Sequence, residues 1–251
     1  MKAMVLAAGL GTRLRPLTND RPKALVTVGG RTMLEIALAR LRQFGVNEAI
    51  VNTHHHGEMI REYLKANGNF GMRIEISHEE ELLDTGGGLK KAAWFFLEDA
   101  GETDHEPFIL HNVDVISTID LARMVQFHLE QGALATLAVQ ERETKRYLLF
   151  DEKSTLCGRR TGRDGEPELV RTVHATQALA FCGVHILSPK IFEKLAEEGA
   201  FPIINAYLRL AARGEKIAAF RADEYRWRDL GRPESVLLAA RELEEGVYSA
   251  S

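Results

Sequence analysis

The residues best suited to chemistry lie near the start of the chain, in Leu6-Ala7-Ala8-Gly9-Leu10-Gly11-Thr12-Arg13-Leu14-Arg15-Pro16, with Pro22-Lys23 shortly after. A strand that ends in a glycine loop lets backbone N–H groups approach an anion without side-chain obstruction, and Arg13 and Lys23 add charge-assisted contacts to phosphate. The expected phosphate cradle therefore comprises Ala8, Gly9, Gly11, Thr12, Arg13 and Lys23. It is not a Walker A loop, which needs Gly-Lys-Ser/Thr, and Arg13 stands where a dinucleotide fingerprint needs a small residue.

Two isolated aspartates, Asp114 in His111-Asn112-Val113-Asp114 and Asp229 in Trp227-Arg228-Asp229-Leu230-Gly231, close short strand-like segments. Ligands of open parallel sheets sit outside the carboxyl ends of the strands, where the glycine loop also points. Magnesium takes one or two carboxylates together with phosphate oxygens and water, so Asp114 and Asp229 are candidate metal ligands. In Asp84-Thr85-Gly86-Gly87-Gly88 a run of glycines would leave room for a flat ring against the backbone, and Gly86 and Gly87 are candidate nucleotide contacts.

Alternating strand and helix patterns must position these residues. Lys2 to Ala8 reads as a buried strand. Thr32-Met33-Leu34-Glu35 has the spacing of a capping box and opens a helix running to Gly45. Strands are expected at Glu48 to Thr53, Met72 to Ser77, Phe108 to His111, Ala133 to Val139, Ala178 to Leu187 and Ile217 to Phe220. Helices are expected at Glu58 to Ala66, Leu89 to Glu98, Leu121 to Gln131, after Ser188-Pro189, at Asn205 to Arg213 and at Pro233 to Glu244, with a glycine loop before Leu89. This order predicts an α/β fold with a doubly wound, mostly parallel (Rossmann-like) sheet and helices on both faces. From Glu141 to Gln177 the periodicity fades apart from a short strand at Tyr147 to Asp151. A small substrate-covering lobe over roughly 141–187 is expected there, within a single domain spanning 1–251.

Composition excludes several classes. A net charge of -4 over 251 residues, with both signs interspersed, lacks the basic excess of a nucleic-acid binder. No segment approaches the ~20 apolar residues of a membrane span, and the apolar stretch from Ala3 to Ala8 is too short for a signal peptide, so a cytoplasmic protein is expected. Cys157 and Cys182 have neither disulfide-framework nor zinc spacing. The adjacent histidines His54, His55 and His56 point in divergent directions on a turn, which argues against a metal role.

The glycine loop with its arginines, prolines and Lys23 resembles the signature of the sugar-1-phosphate nucleotidyltransferase superfamily, Gly-x-Gly-Thr-Arg-x-x-Pro followed by Pro-Lys. The resemblance extends along nearly the whole chain. It implies that the loop holds a nucleoside triphosphate, that Arg13 binds the leaving pyrophosphate and that Lys23 steadies the reacting phosphates. It also implies that Asp114 and Asp229 match the family's two metal-binding aspartates. Asp84 to Gly88 and Asn52-Thr53-His54-His55-His56-Gly57 resemble N-acetylmuramate-1-phosphate uridylyltransferases, in which the glycines contact the base. Phe181-Cys182-Gly183-Val184 is similar to the strand whose glycine, matching Gly183, contacts the sugar, and Arg146, Arg159 and Arg160 are candidates for acceptor binding. Three positions depart from the pattern: Val113 replaces a glycine, Thr32 a proline, and Arg232 a threonine.

The implied reaction is in-line attack of a sugar 1-phosphate oxygen on the α-phosphorus of the triphosphate, with Mg2+ as cofactor, by a monomer or homodimer. The acceptor phosphate is already ionised at neutral pH, so no general base is needed. A UDP-sugar is the expected product. A GDP-sugar made from mannose or heptose 1-phosphate, as in mannose-1-phosphate guanylyltransferases, and cytidylyl transfer to phosphocholine stand as alternatives. A non-catalytic nucleotide-sensing domain would be expected to lose Arg13, Lys23 or an aspartate, and all are present.

Overall fold

The computed structural model describes residues 1–98 and 106–248. In chain order the first elements are β1 (Lys2–Leu6), the short pair β2 (Thr27–Val28) and β3 (Arg31–Thr32), α1 (Met33–Gln43), β4 (Glu48–Thr53), α2 (Gly57–Ala66) and β5 (Arg73–His78). Then come α3 (Asp84–Lys91), α4 (Ala93–Leu97), β6 (Phe108–Asn112), β7 (Val115–Ser117), α5 (Leu121–Gln131) and β8 (Ala135–Gln140). The strands β9 (Arg146–Phe150), β10 (Leu156–Thr161), β11 (Glu168–Leu169) and β12 (Gln177–Leu187) follow. The chain continues through α6 (Ile191–Lys194), α7 (Ile203–Ala212), β13 (Ile217–Arg221), β14 (Trp227–Asp229) and α8 (Pro233–Glu244).

The ends of several helices follow from local chemistry. The Thr32 side chain accepts the Glu35 N–H at 3.1 Å and starts α1. The Glu35 carboxylate bonds to Arg31 and Tyr63, so the capping box shows only this one of its two bonds. Asp120 caps α5 through the Arg123 N–H, Gly132 ends it in the left-handed region, and Pro233 opens α8.

Ten strands form the main sheet, ordered β11-β10-β9-β12-β6-β1-β4-β5, with β8 and β13 branching from β12. Among the described residues only β10 and β12 run against the common direction of this sheet, which is therefore mixed and mostly parallel. β12 is shared along its length: Gln177 to Ala180 pair with β9, and Val184 to Leu187 pair with β6. The 141–187 region is an antiparallel extension of the sheet.

β1 lies at the centre, and its alternating side chains divide the core. Ala3 and Val5 join α1, α2, α5 and α8 on one face, while Met4 and Leu6 join α3, α4, α6 and α7 on the other. All four β1 side chains are nearly or wholly inaccessible, and burial of each large one stabilises the fold by about 1.5–3 kcal/mol. Both cysteines are buried free thiols, and burial pushes Cys157 up to about 11 and Cys182 up to about 12. Among the described residues, no helix is long and apolar enough to cross a membrane.

Two expectations are corrected here. Gly86, Gly87 and Gly88 lie inside α3 rather than in a loop before it, and the break falls at Ala92, between α3 and α4. The stretch from Glu141 to Gln177, where periodicity fades apart from the expected strand at Tyr147 to Asp151, also holds β10 and β11.

Three histidines are locked in the core: His111 donates from Nδ1 to the Asn112 carbonyl, while His128 and His185 pair with Thr136 and Tyr207. Burial pushes His111 and His128 down to about 4 and His185 to about 3. The unfolded chain protonates them near pH ~6.5, so between about pH 6.5 and 4 it binds more protons than the native state. Stability is therefore expected to be level above this window and to fall as pH drops through it, by ~1.4 kcal/mol per pH unit for each histidine. Urea midpoints that stay constant from about pH 7.5 down to pH 5 would refute this linkage.

Candidate active site

The glycine loop leaves β1 and turns back at Gly11, whose φ of 63° is left-handed. A methyl group there would lie 2.9 Å from Thr18 Cγ2 and 3.1 Å from Lys23 Cβ. The Thr18 hydroxyl donates to the Gly11 carbonyl at 2.8 Å, which folds the segment through Lys23 beneath the loop. Lys23 Nζ consequently stands 3.4 Å from the position a Gly9 side chain would take. From there it pairs with Asp114 Oδ2 at 3.0 Å, and the two side chains are only 15% and 10% exposed.

Asp114 lies two residues past the end of β6, after the buried Val113, whose N–H bonds to the Leu6 carbonyl. Asp229 arrives from the far end of the chain because β14 pairs antiparallel with β7, placing Asp229 opposite Val115. The Leu230 N–H donates to the Asp114 carbonyl at 2.8 Å and fastens the two segments together. Asp229 Oδ1 accepts the Gly231 N–H at 2.9 Å. A methyl at Gly231 would lie 2.7 Å from that oxygen and 2.8 Å from Arg13 Nη2, so the guanidinium and the carboxylate are close neighbours. Arg13, Lys23, Asp114 and Asp229 thus converge at one end of the parallel strands, beside Gly9 and Gly11. Two cationic groups, hard carboxylate oxygens and a loop of backbone donors can bind a polyphosphate together with a divalent cation.

Gly183 reaches the same place. It has φ 74° at the irregularity where β12 shifts register against β8, and a methyl would meet Asn112 Nδ2 at 2.8 Å and Val115 Cγ2 at 2.9 Å. Trp227 ties this strand to β14, since its indole N–H donates to the Cys182 carbonyl at 2.7 Å. The guanidinium of Arg142 stacks on the Trp227 ring at 3.8 Å.

Other candidates have different surroundings. Arg146 is exposed at the start of β9, opposite Thr161. Arg159 is engaged by Glu168 and Asn205, and Arg160 lies over the Tyr147 ring. The Ala8 N–H points to Asn52 Oδ1 at 3.3 Å, and the Ala7 N–H to the same atom at 2.7 Å. In α3 the N–H groups of Gly86 and Gly87 both point to the Phe201 carbonyl. A methyl at Gly86 would lie 2.2 Å from the Phe201 ring, and one at Gly87 2.3 Å from the Gly199 carbonyl oxygen. Close packing against the segment before α7 therefore accounts for glycine at both positions. Sequence reasoning missed Thr18, Arg142 and the buried Glu79, none of which lies in a chemical motif; Asn52 appeared only within the histidine-rich segment.

A model of the family described as nucleotidyl transferase matches residues 2–246. The N-acetylmuramate alpha-1-phosphate uridylyltransferase of Caulobacter vibrioides is 37% identical, over 97% of each chain. Mannose-1-phosphate guanylyltransferase 1 of Arabidopsis thaliana is 31% identical across 96% of this chain, which spans 64% of that relative. Among solved structures, HddC from Yersinia pseudotuberculosis complexed with GMP-PN is similar with a TM-score of 0.75 at 22% identity, covering 96% of this chain and 99% of the other. A putative glucose-1-phosphate thymidylyltransferase from Bacillus anthracis gives 0.77 at 19% identity, covering 100% and 96%. These last two likenesses concern the fold.

The packing of α3 makes a prediction of definite sign. Glycine inside a helix with free space beside it gains about 1 kcal/mol when replaced by alanine, whereas overpacking costs about 1–3 kcal/mol. Gly86→Ala is expected to destabilise the protein in urea unfolding. A stabilised variant would show that the space beside Gly86 is open.

Proposed function

The chain belongs to the nucleotidyl transferase family, and on that footing we propose that it is a sugar-1-phosphate nucleotidyltransferase that makes a UDP-sugar and releases pyrophosphate. The observation that carries the proposal is the convergence of Arg13 and Lys23 with Asp114 and Asp229 beside the Gly9–Thr12 loop. That set suits a reaction that crowds a triphosphate against a second phosphate and needs positioning and charge neutralisation more than proton transfer.

The acceptor phosphate oxygen attacks the α-phosphorus in line. One P–O bond forms as the bond to the β-phosphate oxygen breaks, and the electron pair leaves on pyrophosphate. Arg13 is assigned to the leaving pyrophosphate and Lys23 to the reacting phosphates. The remaining N–H groups of the loop, from Gly9 to Thr12, cradle the triphosphate, while Ala8 helps to shape the turn beneath it. Gly183 and Arg146 are assigned to the acceptor, within the 141–187 extension. Gly86 and Gly87 are assigned to the wall of the base site, on the strength of their motif.

Asp114 and Asp229 suit Mg2+, a hard cation that takes one or two carboxylates plus phosphate oxygens, and the pairing of β7 with β14 supports this reading because it brings their two segments side by side. A magnesium ion held there supplies further neutralisation of the crowded phosphate oxygens. UTP is preferred in this proposal because the uridylyltransferase relative matches over nearly full length on both sides; the guanylyltransferase relatives support GTP as the competing reading.

A pyrophosphate-release screen of UTP, CTP, GTP and dTTP against N-acetylmuramate, glucose, mannose and heptose 1-phosphates and phosphocholine tests the whole proposal. Preference for GTP overturns the uridylyl assignment, and no release from any pair overturns the activity. Asp114→Asn and Asp229→Asn are each expected to lower turnover by roughly a hundredfold or more at saturating magnesium, with the fold intact by circular dichroism. Arg13→Ala should cost roughly 2–4 kcal/mol in kcat/KM, and Arg15→Ala far less; equal effects would remove Arg13 from the leaving-group site.

A further inference from the structure

Below the surface, the base of the glycine loop is joined to the start of α3 by four hydrogen bonds whose directions are all dictated. The N–H groups of Ala7 and Ala8 point to Asn52 Oδ1. Asn52 Nδ2 donates to Glu79 Oε1 at 2.7 Å, and the Leu83 N–H donates to Glu79 Oε2 at 2.9 Å. Asn52 is 3% exposed and Glu79 is fully buried, so water cannot substitute for any partner.

Backbone N–H groups only donate, so the Asn52 atom that faces them is its oxygen, and its amide nitrogen necessarily faces Glu79. Glu79 then meets a donor at each of its two oxygens. A carboxylate accepts at both, whereas the amide of glutamine would set its own NH2 group against one of the donors. Asn52 cannot turn over to relieve this, because its nitrogen would then face two N–H groups. Gly88 gives the pair its room: a methyl there would lie 2.6 Å from Glu79 Oε1 and 2.9 Å from Asn52 Nδ2.

We propose that Asn52 and Glu79 are positioning residues for the nucleotide, a buried polar lock that fixes the Gly9–Thr12 loop against the first turn of α3. The inference rests on the assignment of these two segments to the triphosphate and the base. Neither side chain touches substrate. Their effect is to hold ready the backbone that does, so their loss is felt in triphosphate binding and leaves acceptor binding alone.

The direction of the bonds supplies the test. Asn52→Asp sets two carboxylates against each other, and Glu79→Gln sets two donors against each other. In the double variant the aspartate accepts from Ala7, Ala8 and the new glutamine amide, whose oxygen accepts from Leu83, so the chain is complete again with its polarity shifted and the net charge unchanged. Each single substitution is expected to raise KM for the preferred triphosphate about tenfold or more, with KM for the sugar phosphate within about twofold. Amide hydrogen exchange over residues 4–12 should quicken in each. The double variant is expected to return both measures to within about threefold of the wild type. Unchanged single variants, an equal rise in both KM values, or a double variant no better than the worse single one overturns the lock. If a single variant does not fold, a folded double variant with a recovered KM supports the proposal, and an unfolded one overturns it. If the wild type turns over no substrate pair, the functional assignment fails, and the exchange of residues 4–12 in the variants still decides whether the lock exists.

Discussion

The pairing of opposite charge is the interaction around which one end of this molecule is organised. Two aspartates are held on adjacent segments at one end of a sheet, each with a cationic side chain nearby. Lys23 pairs directly with Asp114, and the Arg13 guanidinium lies beside Asp229. The loop brings both cations here by turning back at Gly11, and Gly231 adds no side chain beside Arg13 and Asp229. The segments of the two aspartates lie side by side because three residues of β14 pair with three of β7 across most of the second half of the chain. The main sheet supplies a frame, and the short accessory strands bring the charges together.

Glycine in this chain is mostly a means of close approach. The run in α3 works against helix propensity, yet each member lies where a methyl group would strike a different neighbour: the Phe201 ring, the Gly199 carbonyl and the Asn52–Glu79 pair. The helix therefore sits closer to the loop and to the segment before α7 than any helix bearing side chains on those faces could. Gly183 does the same for β12, pressing it against Asn112 and Val115.

Much of this was legible in the sequence, for local reasons. Helix α1 begins where Thr32 can cap it, α5 stops at Gly132 and α8 starts at Pro233, because capping and proline chemistry are short-range. The glycine loop and both aspartates stood out as candidates because anion binding needs particular residue types at fixed spacing. The helical state of Gly86 to Gly88 was not, since its stabilisation comes from Phe201, far along the chain. β10 was missed because Arg159 and Arg160 interrupt its apolar pattern, where an extended edge of the sheet leaves them half-exposed. Asn52 and Glu79 escaped notice because a buried amide and carboxylate have no signature until their partners are seen.

The central position of β1 sets how the chain can change in length. Because Ala3 and Val5 face one core while Met4 and Leu6 face the other, inserting or deleting one residue in this strand would send small side chains into sites shaped for large ones and large into small on both faces at once. It would also rotate the strand end from which the Gly9 loop departs. Near Gly162, where a side chain would meet open space and the strands are short and exposed, an added residue disturbs neither core. Tolerance to insertion is therefore graded across this sheet, least at the strand that launches the glycine loop and greatest at the edge farthest from it, so lengthening is least disruptive in the part of the fold assigned to the acceptor.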